Sequence, residues 1–293
     1  MNKSDFLLAV LVAFIWGINF SVIKLGLTSL DPFILSGMRF LLCALPLVFF
    51  IKRPNVPLKY IVSYGLLFGV GLWGIVSLGI HFGISAGMAS LVLQMSAFFT
   101  VILASLILNE CIDLSQKFAF AIAALGLTLI ICVTDGSVST LGLVLVLLGA
   151  LSMSFTNIII KKSGTKNVFS FMVWASIFSP IPLFALAYLT QGEVVFTGFF
   201  ENLDNMAIFS ILFQVYPTTL LGYWIWNSLL HKYPASSVAP MGLLVPIFGL
   251  AGSYFIFLEE IGLIKIIASV LIVIALLVNS FGSRLFYKEY KGV

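Results

Sequence analysis

A chain that runs through ten stretches of roughly twenty apolar residues has very few folds open to it. The stretches are residues 6–25, 33–51, 60–80, 86–108, 117–133, 141–160, 169–189, 207–229, 235–258 and 262–281. Each is long enough to cross about 30 Å of hydrocarbon as a helix, at roughly 1.5 Å per residue. Hydrocarbon offers no partner to a backbone N–H or C=O, so only helices and closed barrels span it. The runs are continuously apolar rather than alternating, which excludes a lipid-facing barrel. Charged residues make up only 9% of the chain, against about 25% in ordinary soluble domains. The sequence therefore predicts an all-α polytopic membrane protein with ten transmembrane helices, and a lipid bilayer as its first partner. The connections are short and leave no extramembrane domain between spans. The first apolar run is too long for a signal-peptide core and no small-x-small site follows, so it is expected to be an uncleaved helix.

Ten spans put both termini on one side. Of the fifteen Lys and Arg residues, Lys24, Arg39 and Lys265 sort to the far side and the other twelve to the side of the termini. By the positive-inside rule both termini are expected to be cytoplasmic. The net charge of +4 is then a product of topology and no sign of a nucleic-acid partner. Cys43, Cys111 and Cys132 are odd in number, far apart, and without disulfide or metal spacing. No metal and no cofactor is expected.

The chain also repeats itself. Residues 81–110 align without a gap on residues 231–260, an offset of 150 that sets His81 over His231, Leu93 over Leu243 and Glu110 over Glu260. The same offset sets Trp73 over Tyr223, beside Trp224. "WGINFSVIK" sits over "SFTNIIIKK" at an offset of 138, with Asn19 over Asn157 and Lys24 over Lys162. The longer acidic connection at 191–205 accounts for the difference. The expected organisation is a five-helix repeat over 1–138 and a second over 139–293. Five is odd, so the repeats run in opposite senses through the membrane. Inverted repeats around a central cavity are the usual plan of secondary transporters.

Particular segments resemble a known family. "WGINFSVIK", "GMRF", "ASLVLQMSAFFT", the "NE" that closes span four, and "SSVAPMGLLVPIFGLAGSYFIFLEE" are similar to the EamA family of the drug/metabolite transporter superfamily. The resemblance covers both repeats. Its "LVLQ…AFFT" run is similar to a branch that exports cysteine-pathway metabolites. The resemblance implies ten helices, a cavity between the halves, alternating access and the bacterial inner membrane. Many members carry a Pro in span four where this chain has Met95 and Ser96, which sets that span apart from the Pro-rich ninth.

Polar residues inside spans are functional candidates because lipid cannot satisfy them. Asn19, Asn157, Gln94 and Gln214 lie near mid-span, and are expected either to line the substrate cavity or to bond between helices. Asn19 and Lys24 share only a wide helix face centred on Trp16 and Phe20. Trp73, Tyr223 and Trp224 are aromatic candidates for the same cavity. Lys24 lies about 27 Å beyond the start of its span, which puts it at an outer mouth. Lys162 matches it at the inner one, and either residue can anchor at the interface or attract an anionic group. His81 and His231 occupy matching turns. Pro240 and Pro246 are expected to kink span nine and mark a gate.

Inverted repeats and paired Asn and Lys residues point to a secondary transporter, and the resemblance implies an exporter of small zwitterionic metabolites, of the cysteine or O-acetylserine kind. A multidrug or aromatic amino-acid exporter is the nearest alternative. An intramembrane enzyme would need a nucleophile with its base, or clustered metal ligands, and the sequence shows no H-E-x-x-H, G-x-S-x-G or carboxylate pair. A non-transporting subunit of a membrane complex is disfavoured by the lack of docking loops. All acidic residues fall at span ends or in loops, so no proton relay stands out. Whether the chain forms a homodimer is left open.

Overall fold

The computed structural model describes residues 1–289, with side chains described through residue 282 except at 235 and 236. Among the described residues every regular element is helical. Ten helices are long and apolar enough to cross a membrane: Lys3–Gly26, Pro32–Phe49, Leu58–His81, Ala86–Leu108, Leu114–Ile131, Thr140–Ser163, Val168–Gln191, Asn205–Lys232, Ser237–Phe257 and Leu263–Gly282. They fall on the ten apolar runs, with ends shifted by a few residues. Polar caps explain several of the shifts. Asp31 accepts from the N–H groups of Phe33 and Ile34, with Pro32 at the first helical position. Asp113 and Gln116 form a capping box, which starts the fifth helix ahead of the apolar run. Asp204 caps the eighth helix through Ala207 N–H.

Five spans are irregular in their middles; the seventh passes through a tight 3-10 turn at Ser176–Phe178 before Pro180 restarts its helix. The third passes through a wide π-helical segment at Leu66–Gly74, and the eighth through another at Gln214–Leu221. The fourth span breaks between Ala86–Val92 and Met95–Leu108. The ninth breaks between Ala235–Gly242 and Val245–Phe257. Absence of the span-four proline set these two spans apart in the sequence, yet they break at positions that the offset of 150 superposes. In span nine Pro246 has no N–H to give, and the chain tightens through Leu243 N–H to Pro240 O and Leu244 N–H to Met241 O. In span four the same tightening occurs without proline, through Gln94 N–H to Leu91 O and Ser96 N–H to Leu93 O. Ser154 Oγ on the sixth span donates to Ser96 O at 2.9 Å, so the turn is supported from outside.

Small residues let the first, fourth and ninth spans cross closely. A Cβ on Gly17 would lie 2.5 Å from Phe248 Cβ and 2.6 Å from Val245 O. The fifth and tenth spans pack on each other through Ala119, Ala123 and Ile130 against Ala268, Ile272 and Ala275. Large apolar side chains such as Leu7, Leu106, Leu125, Ile181 and Phe255 are exposed, as lipid-facing positions require.

Because the atoms around Gly17 include backbone, they cannot swing away. Gly17→Val is expected to destabilise by about 3 kcal/mol or more, read as a lowered thermal midpoint in detergent. Gly262→Ala, with nothing within 4 Å, is the control and leaves the midpoint unchanged.

Candidate functional site

A cavity of about 290 Å³ lies where the irregular segments of the third, fourth, eighth and ninth spans meet. Each segment contributes to its wall: Leu72 and Trp73 from the third span, Leu93 and Gln94 from the fourth, Thr218 and Tyr223 from the eighth, Gly242, Leu243 and Val245 from the ninth. Trp16 and Phe20 close it from the first span. The reason is local. A turn that departs from regular α-helix leaves backbone groups that only protein or water can satisfy, so such turns face inward.

Trp16 is fixed by its indole Nε1, which donates to Thr218 O at 3.0 Å. A side chain at Gly222 would meet that nitrogen at 2.7 Å, so glycine there admits the indole. Trp16 packs on Tyr223 and Trp226 with ring centres 5.2 and 5.1 Å away. Phe20 packs on Trp73 at 6.0 Å. Four aromatic side chains, Trp16, Phe20, Trp73 and Tyr223, thus form part of a mainly apolar wall. Gln94 is its amide, half-buried and without a hydrogen-bond partner among the described residues.

Arg39 stands directly behind this wall and was not anticipated there. It is fully buried, with its guanidinium 4.3 Å from the Trp73 ring centre. Nε and Nη2 donate to Thr219 Oγ1 at 3.1 and 2.9 Å, and that hydroxyl donates to Gln214 O at 2.7 Å. Sorting Arg39 among outer-side charges hid it. The available signal was depth: Arg39 lies seven residues beyond Pro32, roughly 10 Å into its span, too far in to count as a loop charge.

The other candidates divide. Trp16, Trp73, Gln94 and Tyr223 come together at the cavity. Asn19 lies just behind it, buried, accepting from Thr218 Oγ1 at 3.0 Å. Gln214 is buried beside it and donates to Ser210 Oγ at 3.1 Å. Trp224 is 57% exposed and points outward, one residue and about 100° from Tyr223. Asn157 is exposed on the sixth span and donates to Thr100 Oγ1 at 3.1 Å, away from Asn19. Pro246 is buried at the ninth-span break and Pro240 lies one turn before it. His81, His231 and Lys162 are exposed at helix ends.

Ion pairs mark both ends of the bundle. At the end away from the N-terminus Lys24 Nζ meets Glu259 Oε1 at 2.5 Å and lies 4.3 Å from the Phe257 ring centre. Lys265, 4% exposed, meets Asp135 Oδ2 at 2.6 Å and also donates to Glu260 O. These residues line a second hollow of about 360 Å³. At the opposite end Lys232 pairs with Asp5 at 2.5 Å, and Lys161 pairs with Glu110. Among the described residues no three His, Cys, Asp or Glu side chains converge as metal ligands would.

Ten spanning helices around a cavity built on interrupted helices define a membrane transporter. Residues 4–132 and 140–281 match the EamA-like transporter family, and the chain belongs to it. It is 36% identical over 290 residues to a protein of Escherichia coli (strain K12) named "Probable amino-acid metabolite efflux pump", covering 97% of each chain. A Salmonella typhimurium protein of the same name is 37% identical over 290 residues, again with 97% of each chain covered. A Bacillus subtilis protein, "Uncharacterized transporter YoaV", is 23% identical over 92% of this chain and 94% of its own. A solved crystal structure 13% identical superposes with a TM-score of 0.64 over 98% of this chain and 99% of that one, which shows the fold.

Partial burial pushes the Asp135 carboxyl up, but hydrogen bonds from Lys265 and Ser137 outweigh it and hold it at about 2. A carboxyl depressed in the folded state stabilises fully above its unfolded value and stops doing so as pH falls through the folded one. Asp135→Asn is therefore expected to lower the thermal midpoint by roughly 2–4 °C at neutral pH. That gap narrows as pH falls from about 4 toward 2. Melting curves of both proteins across that range check it; a gap that holds at pH 2 would mean that the ion pair is not its source.

Proposed function

We propose that the chain is a secondary exporter of small amino-acid metabolites, of the cysteine or O-acetylserine kind, working by alternating access in the bacterial inner membrane. The observation that carries the reading is 36–37% identity over 97% of the chain to the two proteins named as amino-acid metabolite efflux pumps. The cavity supports it. Its volume is at the lower end of the roughly 300–1,000 Å³ usual for small-molecule sites. Its aromatic faces suit an ammonium group, and the free amide of Gln94 can orient a polar solute. The remaining architecture is proposed with it: two inverted five-helix halves, 1–138 and 139–293, with both termini cytoplasmic.

A second reading is favoured by one observation. The aromatic cluster of Trp16, Tyr223, Trp226 and Trp73 also suits an aromatic amino acid or a flat cationic drug.

Efflux from cells expressing the chain separates the two. Labelled cysteine-pathway metabolites are followed beside an aromatic amino acid and a cationic dye. The first group is expected to leave faster than in cells without the chain, and the others not. Gln94→Ala is expected to raise the half-saturating concentration about 5–10-fold with little loss of protein, since it removes a hydrogen bond from the solute. Efflux confined to dye or aromatic solute would replace the substrate assignment with the second reading.

A further inference from the structure

Three buried donors around the cavity have no acceptor: Arg39 Nη1, Trp73 Nε1 and Asn19 Nδ2. One of them carries a permanent charge, because a guanidinium keeps its proton in proteins. Among the described residues no carboxylate lies within 4 Å of Arg39. Its neighbours are the Thr219 hydroxyl, the Phe40 and Trp73 rings, Cys43 and Tyr223. A buried cation without a counter-ion is expensive, and in a membrane such a group marks a functional site by default. The Asn19 Oδ1 receives the Thr218 hydroxyl and no bond from Arg39, whose Nη1 stays without a partner.

The guanidinium lies against the cavity wall: Trp73 lines the cavity, and its ring centre is 4.3 Å from the Arg39 guanidinium carbon. Its backbone is tied, with Ser36 Oγ donating to its carbonyl, but its ring nitrogen holds no bond. The indole is kept over Arg39 by packing alone.

We infer that Arg39 is the specificity-determining cation for a carboxylate on the transported solute, reached when the Trp73 indole turns aside. This rests on the exporter reading for its setting and names the chemical group that the cavity selects. A carboxylate brings the two acceptor oxygens and the negative charge that these three donors lack, and guanidinium and carboxylate match as a planar two-bond pair. A solute with no carboxylate leaves the cation uncompensated and is rejected.

The test measures binding and flux separately. The purified full chain in lipid nanodiscs is titrated with reduced cysteine and with cysteamine, the same molecule without its carboxylate, and quenching of tryptophan fluorescence gives each Kd. Flux of both is then followed in proteoliposomes. Wild type is expected to bind cysteine at least about tenfold tighter than cysteamine. Arg39→Gln is expected to bring that ratio to within about twofold, while Arg39→Lys, keeping the charge and losing the fork, retains part of it. Equal binding of both solutes by wild type overturns the inference, and so does an Arg39→Gln protein that keeps the preference. If Arg39→Gln does not elute as a folded species, Trp73→Ala takes its place. Removing the screening ring is expected to raise the preference, and a preference lost on its removal counts against the inference. Carboxylate-selective binding with no cysteine flux would sink the exporter reading and leave the Arg39 assignment standing.

Discussion

Hydrocarbon gives a peptide group nowhere to turn but to other peptide groups, and the architecture follows from that constraint. A continuous helix satisfies itself and can face lipid anywhere. An interrupted helix cannot, and must turn its interruption toward protein or water. The third, fourth, seventh, eighth and ninth spans are interrupted; four of the five interruptions gather on one cavity, and the seventh's is satisfied by the third span, with Ser179 Oγ donating to Gly65 O. The fifth and tenth spans are regular and stand together as a pair. The cavity is thus the place where most of the helical irregularity collects.

The same constraint acts on side chains. Gln94 and Arg39 are tolerable only because they sit inside the bundle, and each has a different surrounding. Gln94 faces open space. Arg39 is walled by rings and one hydroxyl. In so apolar a setting a single fixed charge decides more than it would at a surface, because nothing screens it.

How much of this was legible in the sequence depends on the kind of signal. The spans were, since twenty apolar residues in a row have one physical meaning. The breaks were half legible. Pro240 and Pro246 announce the ninth-span break through a missing N–H, whereas the fourth breaks with Met95 and Ser96 in place, by bonding that no residue type encodes. Facing was the hardest to read. Tyr223 and Trp224 are adjacent and chemically alike, yet one lines the cavity and the other is exposed. In a helix hydrophobic all round, no polar stripe says which face is which. Asn157 matches Asn19 in the repeat but bonds to Thr100 on an exposed face, because a shared position in sequence does not fix rotation about the helix axis. Arg39 was visible and misfiled, because a charge near a span end reads as a loop charge until its depth is counted.

One further feature connects these parts. Among the described residues all four ion pairs join a residue before 138 to one after 139: Lys24 with Glu259, Asp135 with Lys265, Asp5 with Lys232, Glu110 with Lys161. Any movement of one half against the other therefore parts charges at one end. The two ends are not equally sheltered. Lys265 is 4% exposed, whereas the Lys161 and Glu110 side chains are 59% and 46% exposed. Dissolved ions reach the exposed pair and weaken it while leaving the sheltered one nearly intact. Ordinary salt thus loosens the links at one end of the bundle more than those at the other.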